Sequence, residues 1–274
     1  MKMIVFPKAK INLGLRITGR RPDGYHDIET VFYPVGLRDA LEFVAPVKPI
    51  IKDYLTVTGI SIENDKEENL IIKTVRKLHE KYFFPHLHIH LHKAIPIGAG
   101  LGGGSSDAAC FLKKVNQCFK LSISDKELKK IALELGSDCP YFINSTPSYA
   151  IGRGEILKPV RDVLNGYYLI LLNPGVGIST REAYQNCHPE KPSSSLFELI
   201  DNPVHEWKDK VINDFEEFAF EKYPVISNIK DELYSSGAVF SLMSGSGSSV
   251  YGVFYEKKAI PAKLKDFVIW EGEL

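Results

Sequence analysis

Two glycine clusters carry the strongest chemical signal in this chain. The first runs Pro96-Ile97-Gly98-Ala99-Gly100-Leu101-Gly102-Gly103-Gly104-Ser105-Ser106-Asp107-Ala108-Ala109. An alternating strand precedes it, and an apolar helix is expected from about Ser106 to Phe119. Glycine has no Cβ, so backbone N–H groups can come close to a ligand. A helix N-terminus adds unpaired donors and a partial positive charge. Together these make an anion cradle that needs no net basic charge, with the Ser105 and Ser106 hydroxyls available to a phosphate or a bound Mg²⁺. Five glycines between a strand and a well-patterned helix argue against a flexible connector. No Gly-Lys-Ser/Thr follows, so this is not a Walker A loop. Gly98-x-Gly100-x-x-Gly103 matches the dinucleotide fingerprint in its letters. That fold needs a second parallel strand next, and here another helix opens at Ser124, so the dinucleotide reading is rejected. The second cluster is Met243-Ser244-Gly245-Ser246-Gly247-Ser248-Ser249-Val250.

Lys10, Asn12 and Asp138 could complete a phosphoryl-transfer site. Ala9 to Ile17 alternates: Ile11, Leu13, Leu15 and Ile17 point one way, Lys10, Asn12 and Arg16 the other. This reads as a half-buried strand with a polar face, where a lysine is usually turned to solvent. Asp138 lies in Leu135-Gly136-Ser137-Asp138-Cys139-Pro140, just past a helix end, where an aspartate often only closes a turn. Taken singly, each residue reads as structural. Beside a phosphate-binding loop they supply what phosphoryl transfer needs, charge stabilisation and a carboxylate to accept the nucleophile's proton.

The elements that must position these groups follow from periodicity. The N-terminus starts at once as a strand, Pro22-Asp23-Gly24 marks a turn, and strands are expected near Leu41–Val44, Leu55–Ile62, His86–His92 and Tyr149. Helical spacing covers Asn69 to Tyr82. Ser124-x-x-Glu127 is a capping box for a helix ending at Gly136. Further strands are expected at Tyr167–Leu172, Val239–Leu242, Val250–Phe254 and Phe267–Trp270. A short helix is expected from Glu182, and longer ones over Asp214–Lys222 and Pro224–Ser236, with 189–195 a loop. Strands and helices mix without strict alternation, which argues for a two-layer α+β class rather than a doubly wound sheet. The expected seam lies near Gly152–Pro159, giving domains over residues 1–155 and 156–274.

Ala9-Lys10-Ile11-Asn12-Leu13 with Asp23-Gly24-Tyr25-His26, then Pro96 to Ala109, then Met243 to Val250, occur in an order that resembles the GHMP small-molecule kinases. Gly136-Ser137-Asp138-Cys139-Pro140 fits the family's acidic motif, and the resemblance spans nearly the whole chain. It implies a two-domain fold of two-layer sandwiches, with an N-terminal ATP-binding domain and a substrate cleft between the domains. The Asp-Gly-Tyr-His segment narrows it to the branch that uses ATP and Mg²⁺ to phosphorylate the 2-hydroxyl of a cytidine diphosphate ester of methylerythritol, in the non-mevalonate route to isoprenoid precursors. Asp138 would be the general base, and Lys10 would stabilise it and the transferring phosphoryl group. Pro96, Ile97, Gly98, Ala99, Gly100, Leu101, Gly102, Gly103, Gly104, Ser105 and Ser106 would hold the ATP phosphates. Lys93, and more weakly Asn69, could line the nucleotide pocket. Tyr25, His26 and Tyr184 would form the cytidine pocket, and Asn12 would position the substrate. Gly245, Ser246 and Gly247 would lie against the second anionic group. Where relatives often have Pro directly before the Ala-Lys pair, this chain has Pro7-Lys8-Ala9, which leaves Lys8 as a rival for the role of Lys10.

The composition sets outer limits. Over 274 residues, 34 Lys and Arg balance 34 Asp and Glu, so the chain lacks the basic surplus typical of nucleic-acid binders. The longest apolar run, Tyr167–Leu172, is far short of the ~20 residues of a membrane helix. Cys110, Cys118, Cys139 and Cys187 form no C-x-x-C pair and read as reduced thiols in a cytoplasmic protein. His86, His88, His90 and His92 alternate along one strand face, where neighbours stand about 6.5–7 Å apart. A zinc site needs ligands from more than one element or a turn, so a solvent-facing strand is favoured and no metal ligand is assigned. The partner expected is a small molecule, with the protein a monomer or homodimer. Two alternatives stay open: a GHMP kinase for a sugar or amino-acid alcohol, and a non-catalytic nucleotide- or RNA-binding module of similar fold.

Overall fold

A computed structural model describes residues 1–61 and 68–274. The chain opens with strands β1 (Lys2–Val5), β2 (Lys8–Arg20), β3 (His26–Arg38), β4 (Ala40–Val44) and β5 (Tyr54–Gly59). Helix α1 (Leu70–His79), strand β6 (His88–Lys93) and helices α2 (Gly103–Phe119), α3 (Asp125–Leu135) and α4 (Cys139–Phe142) follow. Then come β7 (Ser148–Gly152), β8 (Ile156–Pro159), β9 (Tyr168–Leu172), α5 (Thr180–Gln185), α6 (Leu196–Leu199), α7 (Glu216–Lys222) and α8 (Pro224–Ser235). Strands β10 (Phe240–Met243), β11 (Val250–Phe254) and β12 (Val268–Glu273) close the chain. The mixed α+β class expected from sequence is what forms. Ile62, the end of one expected strand, lies outside the described residues.

The chain forms two compact units interleaved along the sequence. The first holds residues 1–9, 37–97 and 102–145; the second holds 10–36, 98–101 and 146–274. The first unit is a two-layer sandwich. Its sheet runs β1-β4-β6-β5, with only β5 and β6 parallel. Leu41 and Phe43 on β4 and Ile89 and Leu91 on β6 are buried, and Phe43 meets Phe111 of α2 edge-on at 5.3 Å. His88, His90 and His92 take the opposite, exposed face, as their alternation predicts. Asn69 caps α1 by accepting from Ile71 N–H, and Ser124 caps α3 by accepting from Glu127 N–H.

The second unit carries two sheets, β2-β3-β7-β8 and β10-β11-β9-β12. Strands β9, β10 and β11 are buried along their whole length. Their core joins Leu15 and Ile17 of β2 to Ile170 and Leu172 of β9, Met243 and Val250, and Ile229 and Leu233 of α8.

Three departures from the sequence reading matter for function. Strand β2 is buried on both faces from Ala9 to Ile17, where a polar, half-buried face was expected. Each polar side chain there has found protein acceptors, which is what makes burying it tolerable. Arg16, for example, donates to the carbonyls of Ser194 and Lys210, both at 2.8 Å. Strand β3 was not read at all, because Pro34 and Gly36 interrupt its pattern. It runs on because β7 pairs it only from Ile28 to Phe32, so Pro34 lies past the last pair on that side. Helix α2 starts at Gly103, so the last two glycines of the loop are its first turn.

Candidate active site

In the second unit the three motifs meet on one atom, the carbonyl oxygen of Gly100. Lys10 Nζ donates to it at 2.9 Å, and Ser244 Oγ donates to it at 2.9 Å. Strand β2 brings Lys10, the glycine loop brings Gly100, and the turn after β10 brings Ser244. The approach is too close for any side chain at residue 100. A Cβ there would lie 1.8 Å from Ser244 O, and φ is +77°. Gly98 is the opposite case, with no atom within 4 Å of its missing Cβ, which leaves its backbone open to a ligand.

Lys10 is only 4% exposed and its direction is tightly specified. Its ammonium also donates to Asn12 Oδ1 at 2.6 Å and lies 5.2 Å from the centre of the Phe32 ring. Asn12 Nδ2 donates to Thr30 Oγ1 at 2.8 Å, and Thr30 Oγ1 donates to Gly14 O. Strand β3 therefore orients Asn12, and Asn12 orients Lys10. The third motif is anchored in turn by Asn213, whose Nδ2 donates to Met243 O and Gly245 O, both at 2.8 Å.

In the first unit, helix α2 begins with Gly102 as its N-cap and no side-chain cap. Its first-turn N–H groups are thus left for a ligand or solvent. Ser106 Oγ donates to Lys8 O at 2.7 Å, so that hydroxyl is turned to the chain, not to a phosphate. Ser105 lies beside the acidic motif: a Cβ on Gly136 would sit 3.4 Å from Cys139 Sγ and 3.9 Å from Ser105 Oγ. Asp138 is half-buried at the N-terminus of α4, so the start of α2 and the acidic turn share one neighbourhood. Burial pushes the Cys139 thiol up to about 11, which keeps it protonated and inert.

Lys93, expected to line the nucleotide pocket, is buried beside the start of α2, with its ammonium 3.1 Å from where a Cβ on Gly103 would lie. It is 3% exposed, ion-paired with Asp39 and 3.0 Å from Asp107 on α2. Burial pulls its pKa down, but Asp107 and Asp39 more than offset this and hold it above the ordinary lysine value. Burial pushes Asp107 up to about 7 against the pull of Lys93. Strand parity explains the placement, since Lys93 follows Ile89 and Leu91 on the buried side of β6. Asn69, the weaker candidate, is the cap of α1.

The expected cytidine residues gather in the second unit. His26, at the start of β3, stacks on Tyr184 of α5 with ring centres 4.9 Å apart and planes 22° apart. His26 Nε2 is buried with no hydrogen-bond partner. Burial, helped by the charge of Arg20, pushes the His26 pKa below its usual value, so the ring is neutral at pH 7. A stacked, neutral ring with an unsatisfied edge nitrogen suits a nucleobase. Tyr25 is half exposed, with the Arg153 guanidinium 3.6 Å from its ring centre. Ser246 contacts Thr180 of α5 at 3.1 Å. Thr30, Ser244, Asn213 and Arg153 were missed as site residues. Ser244 stood inside a quoted motif, whereas the others carry no local signal.

Comparison with known proteins identifies the family. The model of the GHMP kinases N terminal domain matches residues 69–145, and that of the GHMP kinases C terminal matches residues 196–268. A 4-diphosphocytidyl-2-C-methyl-D-erythritol kinase from Parabacteroides distasonis is 50% identical over 99% of this chain and 100% of its own. One from Bacteroides thetaiotaomicron is 50% identical over 94% of each. A crystal structure of 4-(cytidine 5'-diphospho)-2C-methyl-D-erythritol kinase superposes with a TM-score of 0.75 at 31% identity, covering 92% of this chain and 90% of that one. A homoserine kinase from Cytophaga hutchinsonii, at 17% identity and a TM-score of 0.65 over 93% and 86%, shares the fold. The chain belongs to the GHMP kinases and, within them, to the family of the 4-diphosphocytidyl-2-C-methyl-D-erythritol kinases. It is a phosphotransferase with an alcohol as acceptor. No helix among the described residues is long and apolar enough to cross a membrane.

Proposed function

We propose that this kinase transfers the γ-phosphoryl group of ATP to the 2-hydroxyl of 4-diphosphocytidyl-2-C-methyl-D-erythritol, with Asp138 as general base and Lys10 as the cation that stabilises the base and the moving phosphoryl group. The observation that carries the reading is the convergence of the three motifs on the Gly100 carbonyl. The open backbone at Gly98 and the uncapped start of α2 fit a triphosphate. These donors are backbone N–H groups and the Ser105 hydroxyl, which suits an Mg²⁺ that arrives on the triphosphate and keeps most of its waters. When bound, the ion neutralises phosphate charge.

Asp138 accepts the proton of the 2-hydroxyl as its oxygen attacks phosphorus. Lys10, aimed by Asn12, offsets the charge developing on the phosphoryl oxygens. His26 and Tyr184 take the cytosine, with the unsatisfied His26 Nε2 meeting its polar edge. Tyr25 with Arg153 borders that pocket, and Gly245, Ser246 and Gly247 face the second anionic group. Lys93 stays inside, tying α2 to β6. ADP release coupled to a spectrophotometric readout tests the assignment on a panel of alcohols. Rapid turnover is expected with the diphosphocytidyl ester. Equal or faster turnover with homoserine, mevalonate or a sugar would reject the substrate. No ATP consumption with any alcohol would reject the activity.

A further inference from the structure

The histidine run that looked like a metal lead contributes one member to a different cluster. His86 precedes β6 and does not share the exposed face of His88, His90 and His92. Its Nδ1 lies 2.7 Å from Asp53 Oδ2, and Asp53 stands immediately before β5. His79, the last residue of α1, brings its Nε2 to 3.3 Å from the same oxygen. One donor atom from each of the three residues lies within 4.8 Å of the others. None of these residues belongs to the motifs of the kinase site.

The cluster is built, and one part of it is poorly satisfied. Asp53 Oδ1 accepts from Leu87 N–H at 2.7 Å, which fixes the carboxylate and aims Oδ2 at both rings. The His79 ring is clamped by Phe84, with centres 4.0 Å apart and planes 8° apart. His79 Nε2 is buried, and its 3.3 Å approach to Asp53 is an ion-pair contact without good hydrogen-bond geometry. A buried nitrogen left this way, facing a carboxylate and a second imidazole, calls for a ligand. Metal bonds of about 2.0–2.1 Å in a tetrahedron put neighbouring donors about 3.3 Å apart, which is the His79–Asp53 spacing already present.

We propose that Asp53, His79 and His86 form a site for a divalent transition ion of the Zn²⁺ type, separate from the Mg²⁺ that accompanies ATP. Two imidazoles and a carboxylate suit Zn²⁺ better than Mg²⁺ or Ca²⁺, which favour all-oxygen sets. The ion enters along the His86–Asp53 contact, whose 2.7 Å must widen slightly to receive it. His79 and His86 line an open groove together with Pro46, Pro49, Ile50 and Phe83, and water from that groove completes the tetrahedron. The ion then ties the end of α1 to the entries of β5 and β6, as a structural clamp.

Equilibrium dialysis of metal-free full-length protein against Zn²⁺, without nucleotide, tests this, with Co²⁺ absorption as a spectroscopic check of tetrahedral geometry. One equivalent is expected to bind and to raise Tm. Asp53→Asn, which keeps the acceptor for Leu87 N–H, and His86→Gln are each expected to weaken binding at least tenfold without changing kinase turnover. The triple variant His88→Asn/His90→Asn/His92→Asn is expected to bind as the parent does. Absence of stoichiometric binding, binding that survives both Asp53→Asn and His86→Gln, or binding lost only in the triple variant would each overturn the proposal. Should Asp53→Asn fail to fold, His86→Gln alone decides.

Discussion

Lys10 and Lys93 are both strand lysines and both almost fully buried, at 4% and 3% exposure. What differs is the elements they join. Lys93 meets two carboxylates, Asp39 and Asp107, and joins α2 to the sheet of the first unit. Lys10 is held at two described contacts by neutral oxygens, the amide of Asn12 and the carbonyl of Gly100. The contrast teaches that burial alone does not assign a role to a strand lysine: Lys10 sits where the three motifs meet, Lys93 where α2 meets the sheet.

The largest effect that could break this contrast is on turnover. Lys10→Ala is expected to lower kcat by about 10²–10³-fold, the scale for removing one charge-stabilising donor. Its Tm should fall only a few degrees. Equal losses of activity and stability would erase the distinction. Lys93→Met makes the opposite split. Removing the ammonium strands two buried carboxylates and is expected to cost about 3–5 kcal/mol in chemical denaturation. The folded fraction should keep near-normal KM for ATP; a selective rise in that KM would return Lys93 to the nucleotide pocket.

Smaller changes sharpen the same point. Thr30→Val removes the acceptor of Asn12 Nδ2 and should loosen Lys10 through it. A loss of about tenfold in kcat with little change in KM is expected, since a group acting only in the transition state affects kcat. The Lys93 cluster should also leave a pH signature. Asp107 titrates near 7 in the fold against 3.8 as its ordinary value, so between these limits the folded chain holds the extra proton. That contribution to stability is complete below pH 4 and is lost as pH rises toward 7. Asp107→Asn should remove this component, seen as a flatter stability profile over that range; an unchanged slope would contradict it.

The parts of this design that were legible in the sequence are those with local signatures. The glycine loop, the Ser124 cap and the alternation of β6 all follow from neighbours within a few residues; the cap and the alternation from His88 on appear as expected, while α2 begins earlier, at Gly103. Strand β2 was legible as a strand but not as a buried one. Its polar side chains are satisfied by Thr30, Ser194 and Lys210, up to 194 residues away. The ion pair of Lys93 was hidden for the same reason, since Asp39 stands 54 residues before it. The interleaved units were equally invisible, because β3 reaches β7 only through pairing across more than a hundred residues. The meeting of three motifs at Gly100 was legible only as an order of motifs, and its geometry needed the fold.

The central claim is that Asp138 takes the proton from the attacking hydroxyl. Single-turnover phosphorylation of 4-diphosphocytidyl-2-C-methyl-D-erythritol by Asp138→Asn, with ATP binding measured separately, tests it most directly. The account predicts a rate lower by about 10²–10⁴-fold with ATP affinity intact. A rate within a few-fold of the parent would contradict it.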